Sequence, residues 1–332
     1  MRFLKAFFGL AVIFSVVFTA FFGAEKISAQ KELINMPDYK GILTVWQIDS
    51  FEGGTGSRRQ FLSARANEFS KENKGVLFLI TSQTKESAEE KIKNGTYPDV
   101  ISFGCGIAPT DLSEIPINAF YKGGILGGKV YAVPWCRGGY VLIKHPKFSG
   151  CTAETDKKIP SLIVSQGDYT MPLMSLFVGG YEIEKYETLK PTDAYGKFLL
   201  GKTPYLLGTQ RDIMRLKSRG ENFSFYPVEG FCDLFQYAAI TCKDEKKMQT
   251  AVKFIEYLLS EKSQSALSSI SMLSVISGVK PSEEIESLYN TDISTTVSAL
   301  LSGTEINKIN GDLAAYFNGD KTLYINLKNI VI

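Results

Sequence analysis

Histidine is nearly absent: the 332-residue chain has one, His145. A lone imidazole cannot build a multi-histidine metal site, and it leaves any histidine-based triad a single candidate base. It precedes Pro146, which favours extended backbone in a loop or at a strand end. The G-x-S-x-G and H-E-x-x-H signatures do not occur. Only carboxylate pairs such as Asp49 and Glu52 remain for acid–base work, so the expectation is a protein that is not an enzyme and needs no cofactor or metal. Net charge is also small, +2 at neutral pH. That argues against nucleic acid, which needs a clustered basic face; the Lys243–Lys247 run reads as a solvated helix face. No repeat or low-complexity tract is present. The five cysteines have no C-x-x-C spacing. They sit mostly in apolar, strand-like segments, where cysteine behaves as a small hydrophobe, so buried thiols are expected rather than a disulfide framework.

What is present begins at the N-terminus. Arg2 and Lys5 precede a run without charge over residues 6–24. A basic start followed by an apolar run is a secretory signal peptide, with a small-x-small cleavage site ending at Ala29. The run approaches the ~20 residues that span a bilayer, so an uncleaved signal anchor is the alternative. Either way, the chain beyond residue 30 is exported, extracellular or at the cell surface. With 44% apolar residues it can bury a core, and its length suits two domains of about 150 residues each.

Short apolar runs and helical periodicities then alternate. Residues 41–48 (GILTVWQI) are strand-like, and a glycine-rich loop leads to helical spacing over 58–74. A second strand covers 75–81, a short charged helix 85–93, and a third strand 97–104. This order predicts a parallel sheet with crossover helices. The pattern is less regular from 145 to 202. Beyond it come a strand at 205–207, a helix that Thr209 caps, and an amphipathic helix over 244–260. In the loop EGGTGSRRQF, Arg58 and Arg59 stand at a helix N-terminus, against the dipole. Either the loop is an anion nest or both arginines are surface residues paired with acids; its spacing is not that of a nucleotide P-loop.

The stretch VYAVPWCRGG (130–139) runs like a buried strand, breaks at Pro134, displays Trp135 and Arg137, and bends at two glycines. Together with LTVWQIDSFEGGTG, TYPDVISFG and the segment from Glu245 to Val279, it resembles the extracellular solute-binding proteins of ABC importers, the maltose-binding-protein-like family 1. The resemblance covers about residues 41–145 and 200–280. It departs from the family in a shortened stretch between 144 and 202 and in the absence of a lipid-anchor cysteine.

The resemblance implies an α/β, periplasmic-binding-protein type II fold with two lobes and a ligand cleft between them. Lobe 1 would comprise 31–137 plus 238–272, and lobe 2 would comprise 138–237 plus 273–332. The implied partners are a small solute, a sugar or oligosaccharide first, and ABC permease subunits, with the chain itself a monomer. A membrane-anchored sensor with the same fold and a binder of an acidic or phosphorylated solute are the alternatives. Open α/β sheets bind ligands beyond the carboxyl ends of their strands. That rule selects Asp49, Phe51 and Glu52 after the first strand, Gly104 after the third, and Trp135 with Arg137 after VYAVP. It further selects Gly208, Thr209, Gln210 and Arg211 after YLL, and Gly230 and Phe231 after FYPVE. Trp46, inside the first strand, is a ligand wall or core. Trp135 is expected to project into the cleft, and its loss to cost affinity more than stability; Arg137 is a ligand donor or an interlobe ion pair.

Overall fold

Ten strands form two five-stranded sheets in the computed structural model, which describes residues 39–51, 54–117, 122–220 and 222–332. The signal segment expected over residues 1–30 and the candidate Glu52 lie outside the described residues. Lys40–Ile332 cluster as one unit, and among the described residues no helix is long and apolar enough to cross a membrane.

The first sheet uses β1 (Gly41–Ile48), β2 (Val76–Gln83), β3 (Val100–Phe103), β4 (Val133–Arg137) and β10 (Phe235–Ile240). The second uses β5 (Tyr140–Lys144), β6 (Leu162–Ser165), β7 (Tyr186–Leu189), β8 (Tyr205–Thr209) and β9 (Ser224–Pro227). Strand orders are β2-β1-β3-β10-β4 and β7-β6-β8-β5-β9. As expected from the strand–helix alternation, β1 runs parallel to β2 and β3. The return strand β10 is antiparallel to both β3 and β4. In the second sheet β6 is parallel to β7 and β8, and β5 is antiparallel to β8 and β9.

The helices follow the sequence signals closely. In α1 (Arg58–Glu72), capped by Ser57, the buried Phe61, Leu62, Ala66 and Phe69 fall on one stripe. α2 (Lys85–Lys93) is capped by Thr84. α3 (Pro172–Val178) and α4 (Pro191–Leu199) both start on a proline, whose fixed φ suits the first helical turn. Thr209 caps α5 (Gln210–Lys217) in a reciprocal capping box with Asp212, and Asp244 caps α6 (Glu245–Leu258). The second sheet packs Val141, Ile143, Ile163 and Leu206 against Phe198 of α4 and Ile213 and Leu216 of α5.

The chain passes between the sheets three times at one place. It leaves the first sheet through Gly138 and Gly139, returns between Pro227 and Phe235, and passes again near Leu273. Backbone hydrogen bonds join these passages: Gly138 N–H donates to Leu234 O at 2.7 Å, and Arg137 and Leu273 exchange bonds of 3.0 and 2.9 Å. A Cβ on Gly138 would lie 2.9 Å from the Gln210 amide oxygen, so glycine lets the passages close up. Asp233, fully buried at the second passage, accepts from the Tyr140 hydroxyl at 2.7 Å and the Met171 N–H at 2.8 Å.

Strand β4 does not stop at Pro134, contrary to expectation. β4 is an edge strand, where proline costs no ladder bond. Its pairing with β10 slips between Gln236 and Tyr237, so that Trp135 has no partner across the ladder. Such a bulge re-aims a side chain, and here it sends Trp135 into the core with 0% exposure. Its ring stacks on Phe61 of α1, with centroids 5.5 Å apart and planes within 9°. Its indole N–H donates to Ser102 Oγ at 3.0 Å. Trp135 therefore supports the first sheet and presents no face to a solute.

None of the five cysteines is in a disulfide; Cys105, Cys136 and Cys232 are buried and Cys151 and Cys242 are partly covered. Burial pushes the buried thiols up, Cys232 to about 12. His145 is buried at the end of β5, edge-on to Phe148, Phe198 and Phe223.

Two outcomes follow from this packing. Trp135→Ala should cost about 3–5 kcal/mol in denaturant unfolding, the range for deleting a buried aromatic; a loss below about 1 kcal/mol would mean that the indole is not core. Burial, partly offset by the Tyr140 and Met171 hydrogen bonds, raises Asp233 from 3.8 to about 6. Between those values the folded chain holds a proton that the unfolded chain has released, so stability falls as pH rises through about 4 to 6. Asp233→Asn should flatten that slope in unfolding curves taken across the same interval.

Candidate functional site

The carboxyl ends of the parallel strands from both sheets meet at a cleft of about 460 Å³. From β1 come Asp49, Ser50 and Phe51, followed by Gly54, Gly56, Ser57 and Arg58. Lys85 follows β2 at the start of α2. From the second sheet, Gln166, Gly167 and Asp168 follow β6, Lys190 and Pro191 follow β7, and Arg211 follows β8. Met272 lines the cleft from the third passage.

Arg58 organises the first wall. It is 6% exposed, which answers the question raised by its place at a helix N-terminus. Its Nε donates to Asp49 Oδ1 at 2.7 Å, one terminal nitrogen donates to Gln236 Oε1 at 3.1 Å, and the other donates to the Phe51 carbonyl. The guanidinium carbon lies 4.4 Å from the centre of the Phe51 ring. Gln236 in turn donates to Ile48 O and Ser102 Oγ, and Ser102 is the acceptor for Trp135. The arginine is thus a buried strut under the loop, paired with an acid but not a surface residue. Arg59 donates to Ile80 O.

The loop is pinned from the far side as well. Gly54 N–H contacts the Met272 sulfur at 3.3 Å, and Thr55 N–H donates to Ile270 O at 3.2 Å. A Cβ on Gly54 would lie 1.6 Å from Ile270 O, which no side chain tolerates. Ser50 is buried, and its hydroxyl has no hydrogen-bond partner among the described residues.

Contacts also span the cleft between α2 and the 167–170 loop. Lys85 Nζ lies 3.5 Å from Asp168 Oδ2 and 4.8 Å from the centre of the Tyr169 ring. The Tyr169 hydroxyl donates to Glu89 at 2.9 Å. Burial, opposed by Asp168, pulls the Lys85 ammonium below its ordinary value. Among the described residues the cleft lining holds four cations, Arg58, Lys85, Lys190 and Arg211, and two carboxylates, Asp49 and Asp168.

Of the residues singled out from sequence, the structure brings Asp49, Phe51 and Arg211 to this cleft. Thr209 caps α5 and borders a cavity of about 20 Å³ that shares Phe51, Gly167 and Pro191 with the cleft. The others are placed elsewhere. Trp46 is buried in β1 under Lys91, whose Nζ is 5.1 Å from the ring centre. Gly104 makes room for Ser50 and Gly208 for Asp212. Gln210 is fully buried, accepting from Gly139 N–H at 3.1 Å and contacting the Met272 sulfur at 3.5 Å. Gly230 and Phe231 pair with the 292–295 segment, and Arg137 faces a different cavity.

Lys85, Gln166, Asp168 and Lys190 escaped the sequence reading, although the carboxyl-end rule selects each of them once its strand is known. For Lys190 the missing signal was β7: YETL is a charged strand at a sheet edge, with little apolar pattern. The octapeptide Gly196–Thr203, GKFLLGKT, has the spacing of a nucleotide P-loop, but it runs from the end of α4 towards β8. A P-loop joins a strand to a following helix, so the match carries no phosphate site.

The fold is the periplasmic-binding-protein type II architecture, and the chain resembles the extracellular solute-binding proteins of ABC importers. Maltodextrin binding protein MalE1 from L. casei BL23, solved without ligand, is 12% identical over 88% of this chain and 98% of its own, with a TM-score of 0.61. A Trichodesmium protein (IdiA, FutA), solved with iron and citrate, is 14% identical over 84% and 98%, with a TM-score of 0.60. An ABC substrate-binding protein from Listeria monocytogenes, solved with cycloalternan, is 14% identical over 88% and 97%, with a TM-score of 0.55. No family model matches the sequence, and no curated protein matches it. At such identities the likeness carries the fold and leaves the ligand to the residues of the cleft.

Gly54→Ala should displace the 51–57 loop and destabilise the chain by about 1–3 kcal/mol, the usual cost of overpacking. Thermal unfolding indistinguishable from the parent would mean that the loop has room to move.

Proposed function

We propose that this chain is an extracytoplasmic solute-binding receptor of an ABC importer, non-catalytic and monomeric, which delivers its solute to membrane permease subunits. One observation carries the reading: side chains from the carboxyl ends of both sheets converge on a single cleft, the place where open α/β sheets take ligands. The fold supports it, and so do structural neighbours that are a maltodextrin binding protein or were solved with cycloalternan or with iron and citrate. Export follows from the basic, then apolar N-terminal sequence. Closure on the solute would be a hinge motion at the three passages.

For the solute, a sugar is the reading drawn from the resemblance, and the cleft favours a polar solute bearing an acidic group. Sugars bind on aromatic faces, whereas Phe51, the aromatic among the described lining residues, has the Arg58 guanidinium over its ring. Among the described residues four cations and two carboxylates line the cleft, a set that suits a carboxylate, a phosphate or the acidic group of a charged sugar.

A thermal-shift screen of neutral and acidic sugars, organic acids and phosphate esters tests this. A bound solute raises the melting temperature by mass action. The expected hits are acidic, and Lys190→Glu or Arg211→Ala should weaken them by about 10- to 100-fold, as for one charge-assisted hydrogen bond. Neutral oligosaccharides as the sole hits, indifferent to both substitutions, would overturn the acidic reading. Chemical conversion of a hit would overturn the receptor.

A further inference from the structure

A second cavity, of about 490 Å³, shares no lining residue with the cleft. Its walls are the Leu273–Val279 segment, Pro281 and the Tyr289–Ile293 segment, and Arg137 stands in it at the carboxyl end of β4. Arg137 is 6% exposed. Its Nε donates to Ser274 O at 3.2 Å, and NH1 reaches Gly138 O at a long 3.4 Å. Among the described residues no carboxylate pairs with it. Asp292 is the one carboxylate in the lining, and it is exposed.

This arrangement is costly as it stands. A guanidinium has five N–H donors in a planar fork and cannot shed its proton inside a protein. Burying such a charge without a counter-ion is strongly unfavourable. A guanidinium with donors to spare at a cavity wall, held so far only by two backbone carbonyls, calls for an anionic acceptor there.

We propose that this cavity is an anion-binding site, taking a small oxyanion, carboxylate or phosphate, on the Arg137 guanidinium. It is independent of the solute cleft. Because Leu273 directly follows Met272, which lines the cleft, the anion would sit on the same passage that borders the solute.

The test titrates the full chain with inorganic phosphate and, separately, with acetate, at ionic strength held constant with sodium chloride, following the melting temperature. A saturable rise with either anion beyond chloride is expected, and the two arms tell phosphate from carboxylate. Arg137→Lys keeps the charge but loses the fork, and should weaken the response at least tenfold. Ser277→Glu, at an exposed lining position, supplies a tethered carboxylate; it should raise the melting temperature without added anion and abolish the response. Arg211→Ala, in the cleft, should retain it. No rise with either anion, or a response lost in Arg211→Ala and kept in Ser277→Glu, would overturn the proposal.

Discussion

The Arg58 guanidinium is the constraint on which the cleft depends. A permanently charged group buried there must have its donors satisfied, and it finds acceptors on two separate pieces of chain. Asp49 and the Phe51 carbonyl belong to the loop after β1, Gln236 belongs to β10, and Arg58 itself opens α1. The described residues on either side of that loop are thereby held to β10 and to α1. From the other side Gly54 lies flat against Ile270, where only a residue without a side chain fits.

The same network runs on into the sheet. Gln236 shares Ser102 with Trp135, so the tryptophan brought in by the β4 bulge and the arginine under the cleft stand on one chain of hydrogen bonds. Substitutions deep in the first sheet are therefore coupled to the shape of the solute wall, although Trp135 itself touches no solute. The three passages do the corresponding work between the sheets. Asp233 ties Tyr140 and Met171 together, and Gln210 ties the start of α5 to Gly139 and Met272. Polar groups buried at a crossing act as registers, because each has few alternative partners there.

Much of the scaffold was legible in the sequence because its signals are local. β1, α1, α2 and α6 follow from apolar periodicity and from caps such as Ser57, Thr84 and Asp244. The weakly patterned edge strand β7 was not legible, and with it went Lys190 and its neighbours. The aromatic candidates other than Phe51 lie away from the cleft for a related reason. Trp46, Trp135 and Phe231 follow or lie in apolar strands, and in one dimension a residue at a strand end looks the same whether it turns outward or inward.

By itself the sequence determined the α/β class, the order of its elements, the family that it resembles and the place of the first ligand loop. These rest on propensity, capping and hydrophobic period, each set within a few residues. Only the tertiary structure decided which way each side chain points. A one-residue bulge turned Trp135 from the cleft into the core, and a sheet edge let Pro134 stay within a strand. The meeting of five strand ends brought Lys85, Asp168, Lys190 and Arg211 together from distant parts of the chain. Those outcomes depend on pairing register and on contacts across more than a hundred residues, which no local pattern encodes.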